Sequence, residues 1–442
     1  MTNVWKLALA AGMVYSAAHI VVSGILFPLS SPNVGQIIEE LQPLLRLFTR
    51  GEATVDHTRQ YGPVFIMLFH WIYKRDLDDP TLLSYYAYAL DVIAIVVAFI
   101  ATVAAVRAWA ESRGHRAGAL TVLLIGLLWA NFSPLYGVLA IKNVELWELA
   151  CIAVGGAALL RNKPWLAAWS IATGALIKML PLVFVPYLWL RHRRVFYYTL
   201  AAMAMILALS QTLYGTQLGF GYFGTLAGAA GSGEGYGNSK NMIWHENVSL
   251  RGVVTKGFGY LDKPGTHSRP MGYNEGYHLV IPASRQAAAT AVATTAQVLG
   301  LAWFAWMLWR RRHEPHPNAT YWDWTFVGIM MLVMAPQISQ DYMVLTLVAF
   351  SFVLVACLFE GDRFAWINFG LAVLLVGNVI PRSAFSRLML VDYAQRWSGY
   401  EHLMAAEAYQ FYGFPLLGLL LLTRAWWRLA NLHERAAESK AA

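Results

Sequence analysis

Twelve apolar segments, joined mostly by short polar connections, set the strongest limit on how this chain can fold. A run of about 20 apolar residues can cross the hydrocarbon core of a membrane as a helix. Only 13% of the 442 residues are charged, against about 25% in soluble domains, which leaves too little polar surface to coat a soluble globule. The pattern excludes an ordinary soluble enzyme, a disordered chain and a fibre, and it predicts an all-α polytopic membrane protein. The segments lie at residues 5–27, 83–106, 118–136, 144–160, 164–177, 179–190, 196–213, 285–309, 322–335, 342–358, 364–380 and 412–427.

The pair of segments within residues 164–190 fixes the expected topology. Basic residues flank the pair on both sides, Arg161 and Lys163 before it and Arg191 after it, and basic flanks favour the cytoplasm. Twenty-seven residues cannot cross twice as full helices, since each needs about 20. We therefore expect two short, partly inserted helices that meet near Lys178 and Pro181. Counted as two passes, they give a bundle of about 12 transmembrane helices with both termini in the cytoplasm.

Net charge and cysteine content add further exclusions. The net charge of +8 is explained by basic cytoplasmic connections, so no nucleic-acid partner is expected. Cys151 and Cys357 both fall inside apolar segments, which excludes a disulfide framework. No His and Cys spacing suits a metal ion, and neither a metal nor a cofactor is predicted.

The whole chain, residues 1–442, is interpreted as one membrane domain with three long segments on its outer face. The first apolar segment lacks a small-residue cleavage site and is interpreted as a retained helix. Residues 34–48 carry apolar side chains at helical spacing, and residues 64–73 form an apolar run too short to span. We therefore expect interfacial helices in the first outer loop. The three outer segments are residues 28–82, 214–284 and 381–411.

Asp56, His57 and Arg59 lie between these two interfacial pieces and bring an acid, an imidazole and a guanidinium to the membrane surface. A partly desolvated carboxylate beside a cation can act as a general base. A single acid in a loop is also commonly just solvated. Both interpretations of Asp56 stay open on the residues alone.

Two cations are candidates for holding an anionic group. Lys178 lies at the expected vertex, and a cation at membrane depth is costly and usually functional, although a lysine can also extend its ammonium to the interface. Arg251 either holds a phosphate with its forked donors or is an ordinary surface residue. Asp341 either caps its helix or pairs with a base, and His245 has no second ligand at metal spacing.

These groups share one side of the expected topology. One acid, several cations and aromatic side chains suit a reaction between a membrane-held anionic lipid and a polar acceptor. No Ser or Cys lies in a nucleophile-elbow motif, and no phosphate-binding P-loop occurs in the sequence. Covalent nucleophilic catalysis and nucleoside-triphosphate chemistry are therefore disfavoured.

Four short motifs, in order along most of the chain, are similar to those of a known family. They are Asp56 followed by Tyr61-Gly62-Pro63, the segment Lys178-Met179-Leu180-Pro181-Leu182, the segment Asn247-Val248-Ser249-Leu250-Arg251-Gly252, and the turn at residues 335–342. With them the chain resembles the GT-C superfamily of polyprenol-phosphate-dependent glycosyltransferases, and most closely the integral-membrane mannosyltransferases of glycosyltransferase family 87. It departs from that family at Gly62, where the family has proline, and at residues 339–342, which lack the family's Trp and two His.

The resemblance implies a GT-C-like bundle that transfers a hexose from a polyprenyl-phosphate sugar to the hydroxyl of a lipid or glycan acceptor, with inversion. Mannose is the expected sugar, with arabinose and glucose open. Asp56 would take the acceptor proton. Lys178 and Arg251, with Lys142 and Arg59 behind them, would hold the donor phosphate. The implied location is a bacterial inner membrane with the active site facing the periplasm. Further residues expected to contact substrate are His57, Tyr61, His245, Glu246, Asn247, Gln337, Asp341 and Tyr342.

Three other interpretations compete with glycosyl transfer. A transporter or lipid flippase is compatible with twelve helices and an intramembrane lysine, but the sequence has no internal repeat of the kind common in transporters. A glycan polymerase or ligase would share the outer face but use a diphosphate-linked donor. A non-catalytic scaffold does not explain charges at membrane depth.

Overall fold

The chain is predominantly helical. The structure, a computed structural model, describes residues 3–30, 61–73, 79–216, 218–224, 242–244, 247–262, 278–312, 318–335, 338–377 and 413–441. The helices in these ranges are α1 (Asn3–His19), α2 (Phe27–Ser30), α3 (Pro63–Tyr73), α4 (Pro80–Ser112), α5 (Ala119–Ala130), α6 (Ser133–Ile141), α7 (Glu145–Leu160), α8 (Pro164–Ile177), α9 (Phe184–Arg191), α10 (Arg193–Tyr214), α11 (Leu250–Lys256), α12 (Ala283–Arg311), α13 (Asn318–Met334), α14 (Leu347–Glu360), α15 (Arg363–Val376) and α16 (Phe414–Ala441).

Helix length separates the apolar segments into two groups. The described parts of all twelve segments are mostly helical. Within the described ranges, however, only five helical runs are long and apolar enough to cross a membrane, or six with a bent pair. The bent pair is α5 with α6, whose axes differ by 55°. That all twelve segments cross the membrane stays a prediction. The five runs are Lys6–Ser30, Thr81–Ser112, Arg193–Tyr214, Ala283–Arg311 and Gln340–Glu360.

The helical break predicted at Lys178 is confirmed. Helix α8 ends at Ile177, and Lys178 is extended with φ −152° and ψ 142°. A short 3₁₀ turn, Leu180–Val183, then leads into α9. Pro181 lies in the first turn of this 3₁₀ segment, where its missing N–H costs no helical hydrogen bond. The break leaves Lys178 at the end of one short helix and just before the next.

The described part of residues 214–284, the second predicted outer segment, contains strands that the sequence did not predict. Three short strands, β1 (Met242–Trp244), β2 (Tyr260–Asp262) and β3 (His278–Val280), form an antiparallel sheet with the order β1-β3-β2. Leu279 of β3 is opposite both Ile243 and Leu261. Helix α11 lies between β1 and β2 in the chain and packs along α12. The amphipathic segment at residues 34–48 lies outside the described residues, and α3 covers the second apolar run.

A tryptophan seated against two glycines joins the helices that carry the site. Trp324 of α13 lies over Gly155 and Gly156 of α7 and donates to the carbonyl of Ile152 at 3.1 Å. Its ring also contacts Phe184 of α9, with centroids 4.2 Å apart. Because the two glycines have no side chain, the indole approaches the α7 backbone closely. This contact holds α7, α9 and α13 in one unit.

A buried carboxylate stabilises the end of this unit that lies away from Lys178. Asp323 accepts from Arg311 at 3.0 Å and pairs with Arg191 at 3.3 Å. Arg191 also donates to the carbonyl of Arg311 at 2.7 Å. Two guanidinium groups on one carboxylate are compatible with burial because each charge has a partner. The network ties the ends of α9 and α12 to the start of α13.

We predict that Gly156→Ala destabilises the protein by about 1–3 kcal/mol, the usual cost of overpacking a core. A Cβ at position 156 would lie 2.7 Å from Nε1 of Trp324. The measurement is thermal unfolding of the purified protein in detergent. Gly126→Ala is the matched control, because a Cβ there meets nothing closer than Phe99 at 3.9 Å, and alanine favours helix by about 1 kcal/mol over glycine. Equal melting temperatures for the two variants would contradict the proposed contact.

Candidate active site

A buried ion pair joins the start of α7 to the end of α8. Nζ of Lys178 donates to Oε1 of Glu145 at 2.7 Å, and the two side chains are 7% and 0% exposed. Lys178 therefore does not extend its ammonium to the membrane surface. An ammonium this deep needs a carboxylate partner, since an unpaired buried charge costs several kcal/mol. The pair fixes the position of the cation at the helical break.

Two tyrosine rings lie next to the same ammonium. Nζ of Lys178 is 4.5 Å from the ring centroid of Tyr342 and 5.9 Å from that of Tyr61. These distances fall within the range of cation–π attraction, which is worth about 2 kcal/mol when desolvated. Tyr61 begins the described part of the first outer segment, and Tyr342 lies in the 3₁₀ segment Gln340–Thr346. Three stretches of chain, distant in sequence, thus meet at one cation.

The backbone contacts of Gly62, the residue after Tyr61, leave no space for a side chain at this position. Its N–H donates to the carbonyl of Ile177 at 2.7 Å, and a Cβ on Gly62 would collide with the carbonyl of Leu176. A proline has a Cβ and no N–H, so it would both clash and lose the hydrogen bond. The departure from the family's proline at this position therefore has a local structural reason.

Further charged side chains are buried beside the ion pair. We call Asp91, Lys142, Glu145, Glu148 and Lys178 the buried charge cluster; all five residues are at most 5% exposed. Asp91 accepts from Nε1 of Trp147 at 3.1 Å and interacts electrostatically with Lys142. In the described part of the chain, neither carboxylate oxygen of Glu148 has a hydrogen-bond partner. The cluster contains three acids and two lysines, so by itself it is not a net positive site for an anion.

Lys142 reaches this cluster through an unusual backbone conformation. It is the C-cap of α6 and has φ 54° and ψ 53°, in the left-handed region. A non-glycine residue with positive φ is uncommon and costs about 1 kcal/mol or more, and such residues concentrate at functional sites. The side chain of the next residue, Asn143, accepts from the N–H of Val144 at 2.8 Å and holds the turn into α7.

The motif around Asn247 docks onto the turn that leads to Tyr342. The side-chain oxygen of Asn247 accepts from the N–H of Ile338 at 3.2 Å and from that of Ser249 at 3.1 Å. The N–H of Val248 donates to the carbonyl of Ile338 at 2.9 Å. Asn247 is buried and thus holds two segments together. Its predicted contact with substrate stays a prediction.

Arg251 lies in the first turn of α11 and is half-buried. Ser249 caps this helix by accepting from the N–H of Gly252 at 3.1 Å, which is the usual role of a serine at a helix start. Among the residues that the structure describes, the Arg251 guanidinium forms no ion pair. No described carboxylate therefore occupies the donors of Arg251, whereas Lys178 already pairs with Glu145.

The carboxylate of Asp341 packs against Gly137 of α6. A Cβ on Gly137 would lie 3.3 Å from Oδ1 of Asp341. Asp341 directly precedes Tyr342, so its carboxylate belongs to the same segment as the ring beside Lys178. The two interpretations made from sequence, a helix cap or a partner of a base, are not distinguished by this contact.

The structure brings together only some of the predicted site residues. Tyr61, Lys178 and Tyr342 meet directly, Lys142 belongs to the same buried charge cluster, and Asp341 is next to Tyr342. Asn247 contacts Ile338 of the segment that leads to Tyr342, and Arg251 follows Asn247 by four positions in the chain. No three His, Cys, Asp or Glu side chains in the described ranges converge on a metal-binding position. The residues of the prediction that lie outside the described residues are Asp56, His57, Arg59, His245, Glu246 and Gln337.

Comparison with known families identifies the chain. The sequence model described as glycosyltransferase family 87 matches residues 60–336, which is more than half of the 442 residues. The chain belongs to glycosyltransferase family 87. It is therefore a glycosyltransferase, and its apolar helices mark it as a membrane protein. No curated protein matches the sequence.

The matched range contains some of the predicted site residues and leaves others outside it. It contains Tyr61, Lys142, Lys178, Asn247 and Arg251, together with Glu145 of the ion pair. It begins four residues after Asp56 and ends five residues before Asp341. Lys178, Glu145 and Tyr61 therefore lie within the matched part, Tyr342 lies after it, and the expected base lies just before it.

Sequence reasoning missed the acids of the buried charge cluster. Asp91, Glu145 and Glu148 lie inside or at the start of apolar segments predicted to be membrane helices. Ionisable residues in such segments are rare and usually functional, so this signal was present in the sequence. Which acid pairs with Lys178 was not visible, because Glu145 lies 33 residues before it.

We predict that Glu145→Gln destabilises the enzyme by about 3–5 kcal/mol, because it leaves a buried ammonium without its carboxylate. Thermal unfolding in detergent measures the effect. The double variant Glu145→Gln, Lys178→Met should recover most of the lost stability, since it removes the uncompensated charge.

Glu360→Gln is the matched control for this prediction. Glu360 pairs with Arg113 at 3.1 Å, but the two side chains are 25% and 15% exposed, so removing its charge should cost at most about 1 kcal/mol. Equal losses for Glu145→Gln and Glu360→Gln, or no recovery in the double variant, would show that the Lys178 pair is not a buried one.

Proposed function

We propose that this glycosyltransferase transfers mannose from a polyprenyl-phosphate sugar to a hydroxyl of a lipid or glycan acceptor, with inversion at the anomeric carbon. Arabinose and glucose are the other sugars to test. The observation that carries the proposal is the meeting of Tyr61, Lys178 and Tyr342 at one buried cation. The chain at Tyr61, the helical break and the turn before α14 thereby meet at one place.

Asp56 is the proposed general base. Tyr61 follows it by five positions, and five steps of extended chain reach at most about 18 Å, so the acid is tethered near Tyr61. Its carboxylate takes the proton of the acceptor hydroxyl as the oxygen attacks C1. The bond between C1 and the phosphate oxygen breaks, and its electron pair goes to that oxygen. The proposal needs no general acid, because polyprenyl phosphate leaves as an ionised phosphomonoester.

The developing charge on the leaving phosphate needs cations near it. Arg251 is the first candidate, since its forked donors match two phosphate oxygens. Lys178 is the second, because an ammonium has three donors and can serve Glu145 and a phosphate oxygen together. Lys142 and Arg59 stand behind them.

The proposed substrate contacts on the sugar and acceptor side are the rings of Tyr61 and Tyr342 and the carboxylate of Asp341. Carboxylates accept hydrogen bonds from hydroxyls, and aromatic side chains commonly line ligand pockets. His57, His245, Glu246, Asn247 and Gln337 complete the proposed set. We place the reaction on the outer face of the membrane, which in a bacterium is the periplasmic face of the inner membrane.

A transporter or flippase remains the second candidate, because charges at membrane depth and a broken helix are also features of transporters. Incubating the purified protein with a radiolabelled polyprenyl-phosphate sugar and a lipid extract separates the two. A labelled product in detergent solution, where no membrane exists to transport across, supports transfer. Movement of label across vesicles without any new product would favour transport.

We predict that Asp56→Asn abolishes sugar transfer while leaving the protein folded, because an amide cannot take the acceptor proton. Turnover of the radiolabelled donor and the elution volume in gel filtration provide the two measurements. Asp79→Asn is the control, since Asp79 is an exposed cap of α4 that accepts from the N–H groups of Thr81 and Leu82, and an amide oxygen can replace it there. Near-normal transfer by Asp56→Asn would remove this residue from the mechanism.

We predict that Arg251→Ala lowers kcat/KM for the lipid donor by about 10- to 100-fold, the value of one or two charged hydrogen bonds of roughly 1.5–3 kcal/mol. Arg251→Lys should recover part of the loss, because it restores charge without the fork. Arg285→Ala is the control, as Arg285 is an exposed arginine at the start of α12. If Arg251→Ala and Arg285→Ala have equal kinetics, Arg251 does not contact the donor.

A further inference from the structure

We propose that an anionic phospholipid binds in a groove between α4 and the hairpin of α7 and α8, with its phosphate held by Arg161 and Lys163. The groove has a volume of about 660 Å³ and is mostly apolar. Its walls come from α4, α7 and the start of α8, and the two cations lie at one end. This arrangement fits a molecule with an apolar chain and a negative head.

Small side chains create the apolar part of the groove. Ala101 and Ala104 of α4 and Ala157 and Ala158 of α7 line it. The alanines let α4 and α7 pack closely where the two helices touch. Next to this contact their short side chains leave a channel, which larger side chains would fill. In a chain with helices that span a membrane, such a channel on the lipid-facing surface is filled by an acyl chain.

A rigid turn holds the two cations at the end of this channel. The N–H of Lys163 donates to the carbonyl of Ala158 at 2.8 Å, and Asn162 has a left-handed φ of 52°. Pro164 then begins α8. Arg161 and Lys163 are both exposed, and neither forms an ion pair with another described residue. Two cations on a held backbone turn, neither paired with a described carboxylate, are available for a phosphate group.

An aromatic pair marks this end as a membrane interface. Trp165, also in the groove wall, is 53% exposed and stacks on Tyr198 with centroids 4.0 Å apart and planes at 6°. Tryptophan and tyrosine are enriched at the level of the lipid headgroups. The cations therefore lie at headgroup level, and the alanines lie at the depth of the acyl chains.

The groove is separate from the proposed active site. Glu145 begins α7 and Arg161 follows its last residue, and a helix of 16 residues is about 24 Å long. A lipid headgroup at Arg161 thus lies at the end of α7 that is remote from Glu145 and Lys178. The proposal does not depend on the donor, the sugar or the role of Asp56.

An anionic phospholipid fits better than a zwitterionic one because of charge. Arg161 and Lys163 attract the phosphate of either lipid, but they repel the quaternary ammonium of phosphatidylcholine. Each basic residue near an anionic headgroup contributes about 1 kcal/mol. Two residues together give a preference for phosphatidylglycerol on the order of 10-fold or more.

The test is native mass spectrometry of the full-length protein incubated in detergent with equal amounts of phosphatidylglycerol and phosphatidylcholine. The wild type should retain phosphatidylglycerol about 10-fold over phosphatidylcholine, and Arg161→Gln, Lys163→Gln should lose this preference. Arg310→Gln, Arg363→Gln is the charge-matched control, because both arginines are exposed and lie outside the groove. The control variant should keep the wild-type preference.

Ala104→Phe tests the groove independently of charge. Ala104 is half-buried in the groove wall, so a phenylalanine there should lower retention of both lipids while Arg161 and Lys163 stay in place. The proposal is overturned if the wild type retains both lipids equally, if the Arg161 and Lys163 variant keeps its preference, or if Ala104→Phe retains lipid as the wild type does. A dimer without bound lipid as the main wild-type species would assign the groove to a second copy of the chain instead.

Discussion

The ion pair between Lys178 and Glu145 is the interaction on which the geometry of the candidate site depends. Lys178 cannot be buried in this way without a carboxylate, because a protein interior offers too little water to solvate an ammonium. The pair at 2.7 Å therefore holds the end of α8 against the start of α7. Gly62 donates to the carbonyl just before Lys178, and Tyr342 lies over the ammonium. Tyr61 and the turn before α14 thus meet at this one cation.

The electrostatics of the buried charge cluster changes how a phosphate-binding role for Lys178 is understood. A lysine at a helix break suggests a free positive charge waiting for an anion. Because Glu145 pairs with Lys178 and Glu148 lies nearby, the Lys178 ammonium positions the surrounding chain as much as it supplies positive charge. Arg251, held by the capped helix α11 and half-buried, is the stronger candidate for direct phosphate contact. The range that matches glycosyltransferase family 87 includes both residues.

The helices and the helical break were accessible from sequence because hydropathy and proline act locally. The described parts of all twelve apolar segments are mostly helical, and the break at Lys178 follows from basic flanks that leave too little length for two full crossings. The pairing of side chains was not accessible. Glu145 and Lys178 are 33 residues apart, and Asn247 and Ile338 are 91 apart. The strands β1, β2 and β3, at three residues each, were too short to leave a pattern, so the small sheet was also missed.

The sequence by itself determined that this chain is a helical membrane protein, where its helices lie, that one pair of helices is broken at Lys178, and which family its motifs resemble. These properties depend on composition and spacing along a single stretch of chain. The tertiary structure decided that Lys178 pairs with Glu145, that Tyr61 and Tyr342 share its ammonium, that Asn247 ties two segments together, and that alanines of α4 and α7 leave a groove ending in two cations. Those contacts depend on which helix faces meet, and in a medium without water each buried charge must find its partner wherever packing brings one.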